Sequence, residues 1–182
     1  MKKLIVLILI ITMAVFMLFS AGGCFNVGQK VAERVTEEAI EKSIEEEIES
    51  EGGEADVDIS EDAVSVTTDE GEMTIGEGAE LPEGFPEEVP VYSNMEITSS
   101  WKVTEEGKDT FSISGTTSDS GKTVFDWYKG KLNSWEIENE FTGESEGEST
   151  YSISANNGTY GLLVWITESD GETIVGITAA KL

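Results

Sequence analysis

The spacing of apolar residues changes along the chain, and each change predicts a different kind of structure. Residues 4–19 are apolar at every position except Thr12, which leaves no polar face for a folded domain. Within residues 25–50 the apolar residues recur every three to five positions, the spacing of an amphipathic helix. From residue 54 onward apolar and polar residues alternate, which predicts β-strands. The pattern therefore predicts a targeting segment, a helix and a strand-rich remainder.

The predicted helix, within an acidic stretch at 24–53, has one apolar stripe and one acidic face. Gly52 and Gly53 end it, since glycine readily adopts the left-handed conformation that closes helices. Its glutamate-rich face does not suit a membrane surface, where such helices usually carry lysine and arginine. We expect the stripe to pack on the protein's own domain or on a second copy. The stripe consists of Val27, Val31, Val35, Ala39, Ile40, Ile44 and Ile48.

Two segments separate the helix from the main strand-rich region. Residues 54–78 contain three short alternating stretches with acidic turns between them, which predict a small β meander. Three such strands bury too little apolar area to fold alone. Residues 79–92 contain all three prolines, which predict an extended connecting segment. Because apolar residues lie among the prolines, we expect this segment to lie on a surface of the protein.

Residues 93–182 are expected to form the core domain. The pattern predicts two strands, a helix that begins at Asp119 or Ser120 and ends near Asn133, and four further strands. This ββαββββ order predicts an α+β fold, namely an antiparallel sheet with the helix on one face, preceded by the amphipathic helix and the meander.

Alternation also predicts which residues share a face of each strand. In the first strand Ile97 and Trp101 are expected on one face, and in the third strand Ile137 and Phe141. The strand at 160–166 is apolar on both faces, which predicts a central position in the sheet.

A candidate contact surface follows from this arrangement. Trp101, Leu163 and Trp165 are expected on the sheet face opposite the helix, where they form an apolar patch if they are exposed.

The first 23 residues have the organisation of a signal peptide. Two lysines form a basic start, the apolar run follows, and small residues lead directly to Cys24, the only cysteine. Small residues before a cysteine resemble a bacterial lipobox, although Ala21 stands where that motif more often has leucine. The resemblance implies cleavage between Gly23 and Cys24 and a diacylglyceryl group on the Cys24 thiol. An uncleaved N-terminal anchor is the alternative, and both interpretations place residues 25–182 outside the cell membrane.

The chain is strongly acidic, with 37 Asp and Glu residues against 11 Lys and Arg and a formal net charge of −26. Nucleic-acid binding needs a basic surface, and we expect none here. Anionic lipid headgroups would repel an acidic surface, so membrane contact is expected through the lipid anchor alone. Two explanations of the charge remain open, namely adaptation to a salty or alkaline medium and low-affinity cation binding.

Residue types needed for common catalytic sites are scarce. The chain has no histidine, which removes Ser-His and Cys-His nucleophilic sites and the usual zinc sites. Its glycine-rich stretches lack the lysine of a phosphate-binding loop. We therefore expect a non-enzymatic protein without a cofactor or a bound metal. A carbohydrate-active hydrolase, with two carboxylates in a tryptophan-lined cleft, is the remaining catalytic alternative.

Residues 81–92, LPEGFPEEVPVY, resemble a segment of uncharacterised bacterial lipoproteins. In those proteins a lipobox, a Glu-rich helix and an acidic strand meander also precede the segment. Residues 124–135 are similar to their following helix and strand, although Ser134 stands where glycine often precedes the tryptophan. The resemblance covers most of residues 24–182. It implies a lipoprotein with a domain of unknown function, and it implies no activity.

These observations predict a lipid-anchored protein of the cell envelope, on the extracytoplasmic face of the membrane. We expect a binding or structural role toward another protein or an envelope component, and no nucleic-acid partner. An acidic cation-binding or solvation-adapted surface protein is the second hypothesis, and the hydrolase is the third.

Overall fold

The computed structural model describes residues 37–50, 54–60, 62–76, 78–145 and 147–182. The expected signal peptide, the lipidation site at Gly23 and Cys24, and the first part of the predicted helix lie outside the described residues. The chain divides into two compact units, with the division between Ile59 and Ser60.

The first unit contains helix α1, Glu37–Ser50, and strand β1, Ala55–Ile59. The described part of the predicted amphipathic helix is therefore helical. Ile44 and Ile48 lie one turn apart on the same side of α1, and both are buried. Val57 of β1 is buried as well.

Two glutamates of α1 also bind the backbone of β1. Glu41 Oε1 accepts a hydrogen bond from the Ile59 N–H at 2.8 Å, and Glu45 Oε1 accepts one from the Val57 N–H at 3.2 Å. A carboxylate that accepts from a backbone N–H makes a charge-assisted bond, which is stronger than a neutral one. Part of the acidic face of the helix therefore holds the strand that follows it.

The second unit is an antiparallel sheet with one helix. Its strands stand in the order β2-β3-β4-β5-β9-β8-β7-β6. The elements are β2 Ala63–Thr68, β3 Gly71–Gly76, β4 Glu96–Glu105, β5 Lys108–Thr117, α2 Gly121–Lys131, β6 Glu136–Ser145, β7 Glu148–Asn156, β8 Tyr160–Ser169 and β9 Glu172–Lys181.

The mostly-β character and the antiparallel pairing predicted from the sequence are confirmed. The α+β label and the ββαββββ order do not describe the fold, because β2 and β3 belong to the same sheet as the later strands. β3 pairs directly with β4, with Met73 opposite Trp101. The expected meander at 54–78 is therefore divided between the two units, and the segment at 79–92 connects two neighbouring strands of one sheet.

One face of the sheet is covered by α2 and by the proline-containing segment. α2 lies over β7 and β8 and carries the chain from β5 to the far edge at β6. Val89 and Tyr92 are buried against the same cluster, which confirms that the segment lies on a surface of the protein. The fully buried members of this core include Val124, Tyr128, Leu132, Ile153, Val164, Ile166, Val175 and Ile177.

The start of α2 is held by two acceptors. The Ser120 side chain accepts from the Thr123 N–H, which confirms the predicted cap. Glu168 Oε2, on β8, accepts from the Gly121 N–H at 2.9 Å. A carboxylate is favoured at this end because the helix dipole is positive there. The helix is therefore fixed to the sheet by its first turn.

Strands β4 and β6 each contain a bulge near their start. The register shifts after Ile97 in β4 and after Ile137 in β6. One extra residue exchanges the faces toward which all later side chains point. Ile97 and Trp101 therefore lie on opposite faces, as do Ile137 and Phe141, and the expectation of uninterrupted alternation in these strands is wrong.

Candidate functional site

The sheet face that points away from α2 carries no charged side chain along five neighbouring strands. We call this surface the open face. It consists of every second residue of 110–116, 150–156, 161–167 and 174–180, together with Asn139, Phe141 and Gly143. All of these residues are Ser, Thr, Asn, Gly, Ala or large apolar residues. A neutral surface of this extent is unusual on a chain with a formal net charge of −26.

Four large apolar side chains of the open face are exposed. Their exposed fractions are 53% for Phe141, 44% for Leu163, 40% for Ile174 and 37% for Trp165. They lie on β6, β8 and β9, so they form a group rather than scattered single residues. Grouped exposure of this kind marks contact surfaces, whereas single exposed apolar residues are common everywhere.

The three residues expected to form a contact surface share this side of the sheet. Leu163 lies opposite Thr178, Thr178 opposite Ser112, and Ser112 opposite Trp101. Directly opposed residues of an antiparallel pair point to the same face. Leu163 and Trp165 are exposed, whereas Trp101 is half-buried. The exposed part of the surface is thus centred on β8.

Two aromatic rings lie flat on the open face because glycine stands beneath each of them. A Cβ atom on Gly176 would lie only 2.0 Å from Trp165 Cε2 and 2.1 Å from its Nε1. A Cβ atom on Gly143 would lie 2.9 Å from Phe141 Cζ. The indole therefore rests on the backbone of β9, and the phenyl ring rests on its own strand. Each ring turns one face to solvent.

The same hairpin pattern places an aromatic residue on this side of the sheet three times. In each hairpin an aromatic residue is followed six positions later by a turn glycine with positive φ, and six positions after that by a buried isoleucine. The sets are Trp101, Gly107 and Ile113; Phe141, Gly147 and Ile153; and Trp165, Gly171 and Ile177. Across each hairpin the aromatic residue faces a small one, respectively Ser112, Ser152 and Gly176.

Sequence reasoning missed Phe141 and Ile174 as surface residues. Phe141 was assigned to the face of Ile137 because the bulge between them was not foreseen. The repeated aromatic-glycine-isoleucine spacing is the signal that would have found it, since it aligns Phe141 with Trp101 and Trp165. We find no comparable signal for Ile174.

Hydroxyl groups fill the area between the aromatic residues. Ser112 Oγ and Thr178 Oγ1 are 3.1 Å apart, and Ser99 Oγ and Ser114 Oγ are 2.8 Å apart. These cross-strand pairs bind one another, and a hydroxyl still has lone pairs free for a further donor. The surface therefore combines flat aromatic rings with rows of neutral hydrogen-bonding groups.

On the other side of the sheet, a polar cluster joins the proline-containing segment to the start of α2. Asp119 Oδ2 accepts hydrogen bonds from the Tyr92 hydroxyl at 2.7 Å and from Asn94 Nδ2 at 3.0 Å. These bonds hold the pKa of the Asp119 carboxyl below its usual range, Asn94 having the larger effect. The bond to Asp119 likewise raises the pKa of the Tyr92 hydroxyl. The cluster acts as a structural tie.

Tyr128 is buried beneath this cluster. Among the described residues its hydroxyl has no hydrogen-bond partner. Burial raises the pKa of this hydroxyl, and the nearby backbone of Tyr92 reduces the rise.

Within the described ranges, no group of three or more His, Cys, Asp or Glu side chains is arranged to hold a metal ion. Neither α1 nor α2, the helices of the described part of the chain, is long and apolar enough to cross a membrane. Gly23 and Cys24, the expected lipidation site, lie outside the described residues.

Comparison with known proteins gives no relative from which a function can be transferred. No family model matches the chain, and no curated protein is significantly similar to it.

Proposed function

We propose that the protein is a lipid-anchored envelope protein whose sheet binds a component of the cell envelope through the open face. Cys24 carries the lipid, and the domain faces the extracytoplasmic side. The basic start, the apolar run and the small residues before Cys24 support the anchor. Two acyl chains on one cysteine supply the two signals that stable membrane attachment needs.

The observation that carries the binding role is the exposed group formed by Phe141, Leu163, Trp165 and Ile174. Exposing apolar area to water is unfavourable by about 25 cal/mol per Å². A surface kept neutral and apolar on so acidic a chain is best explained by a partner that covers it. The absence of histidine from the sequence further favours binding over catalysis.

The anchor is tested by mass spectrometry of the mature protein from membranes. We expect its first residue to be Cys24, with the added mass of a diacylglyceryl group, and we expect Cys24→Ala to lose that mass. A mature protein that starts elsewhere, or that carries no lipid, would contradict the anchor.

The binding role is tested with charge placed on the open face. We expect Leu163→Asp to reduce binding of the purified chain to an envelope fraction from which the native protein has been deleted. Leu81→Asp is the matched control, because Leu81 is similarly exposed, at 46%, but lies in the proline-containing segment. Equal binding by both variants would remove the open face as the contact surface.

A further inference from the structure

We propose that the open face binds a linear, neutral, β-linked glycan, with Phe141 and Trp165 as stacking platforms. This inference rests on the proposed function, because it names the chemical class of the envelope component.

The charge distribution selects a neutral ligand. The open face offers no cation to bind a polyanion, and the surrounding acidic chain repels one. A cationic partner would be drawn to the many carboxylates elsewhere on the protein rather than to the neutral surface. An uncharged polymer meets neither penalty here.

The positions of the two rings fit a polymer that crosses the strands. Phe141 lies opposite Ser152, Ser152 opposite Trp165, and Trp165 opposite Gly176, so both rings belong to one row across the sheet. They are two strands apart, which corresponds to about 10 Å at the usual strand spacing. That separation is close to one disaccharide repeat of an extended β-linked chain. A single glycan chain can therefore stack a sugar on each ring.

The orientation of the rings matters as much as their position. Because each ring lies over glycine, its flat face rather than its edge meets solvent. The C–H groups on one side of a pyranose pack against such a face. A flat platform without a cavity suits a long chain, whereas small molecules are usually bound in concave pockets.

The groups around the rings are those that bind sugar hydroxyls. Ser152 lies between the two rings, and Ser114 lies beyond Gly176 in the same row. Serine is depleted in protein–protein interfaces, which argues against a protein partner on this surface. A second copy of the chain is further disfavoured, since each copy carries a formal net charge of −26.

The test is co-sedimentation of the full chain, purified in detergent, with insoluble cellulose and chitin at moderate salt. We expect binding to both or to one of these neutral glycans, and none to soluble polygalacturonate in a gel-shift assay. Phe141→Ala and Trp165→Ala should each weaken binding about tenfold, equivalent to about 1.4 kcal/mol. Phe141→Trp should retain it.

Two variants separate a role in binding from a role in folding. Ile137→Ala is the matched control, because Ile137 is a partly exposed apolar residue of β6 on the opposite face. It should leave binding unchanged. Gly176→Val keeps both rings but displaces the indole, so it should weaken binding while circular dichroism shows a folded sheet.

Three outcomes would overturn the proposal. They are absence of binding to every neutral glycan, equal binding of the anionic glycan, and a dimer by sedimentation that Trp165→Ala dissociates. If the envelope fraction still binds in a manner sensitive to Leu163→Asp, only the glycan is wrong. If that sensitivity is also absent, the proposed function fails with it.

Discussion

Replacing Tyr128 with phenylalanine should make the protein more stable. The side chain is fully buried, and among the described residues its hydroxyl oxygen has no hydrogen-bond partner. Burying an unsatisfied polar group costs about 1–3 kcal/mol, because its hydrogen bonds to water are lost and not replaced. Phenylalanine keeps the ring and its edge-on contact with Trp127, whose centroid is 4.8 Å away.

We therefore expect Tyr128→Phe to raise the free energy of unfolding by about 1–2 kcal/mol. For a domain of this size the melting temperature should rise by roughly 2–4 °C per kcal/mol. Thermal unfolding followed by circular dichroism measures the shift, with both chains in the same detergent. In urea the midpoint should rise while the slope stays unchanged, since the surface exposed on unfolding is the same.

Tyr92→Phe is the matched control, because it removes a hydroxyl that does have a partner. The Tyr92 hydroxyl donates to Asp119 Oδ2 at 2.7 Å, so its loss should lower the melting temperature. The two substitutions remove the same atom from neighbouring buried tyrosines and should act in opposite directions. If Tyr128→Phe destabilises the protein as Tyr92→Phe does, its hydroxyl has a partner and the reasoning is refuted.

Three further predictions concern the core, the helix cap and the polar cluster. Leu132→Ala should lower the free energy of unfolding by about 2–5 kcal/mol because Leu132 is fully buried, whereas Leu182→Ala at an exposed site should cost little, as thermal unfolding will show. Glu168→Ala should cost about 1 kcal/mol by removing an acceptor at the start of α2, and equal melting temperatures would contradict that role. Because hydrogen bonds lower the pKa of Asp119, its charged form stabilises the fold above the usual aspartate pKa, and this contribution is lost as pH falls through the lower folded-state value. Asp119→Asn should therefore be less stable than the native chain at pH 7, and urea midpoints should show the difference closing toward pH 3.

The sequence predicts most strands and the helix of the sheet correctly because their signals are local. Ser120 caps α2 as expected, and Val124, Tyr128 and Leu132 form its buried side. Each depends on neighbours within a few residues, which the sequence displays directly.

The bulges and the pairing of β3 with β4 were not foreseen because they depend on distant residues. Nothing in the sequence around Ile97 or Ile137 shows which residue lacks a partner on the next strand. In the same way, the proline-containing segment predicts an interruption of the sheet, but not that the strands on its two sides pair. Pairing across a long connection follows from packing of the whole sheet.

Of the candidate site, the sequence identified Leu163 and Trp165 because strand 160–166 is apolar on both faces. It did not identify the flat orientation of the indole, since that depends on Gly176 in another strand. The site is thus predictable in its chemistry and unpredictable in its geometry.

The position of β6 at the end of the sheet leaves one edge open to strand addition. An unprotected edge beside a neutral aromatic surface would invite stacking of molecules into fibrils. The bulge after Ile137 and the glutamates Glu136, Glu138 and Glu140 make such growth unfavourable, because repeated addition would align like charges and would have to match an irregular register. Neutralising these carboxylates should therefore turn a soluble protein into one that polymerises edge to edge.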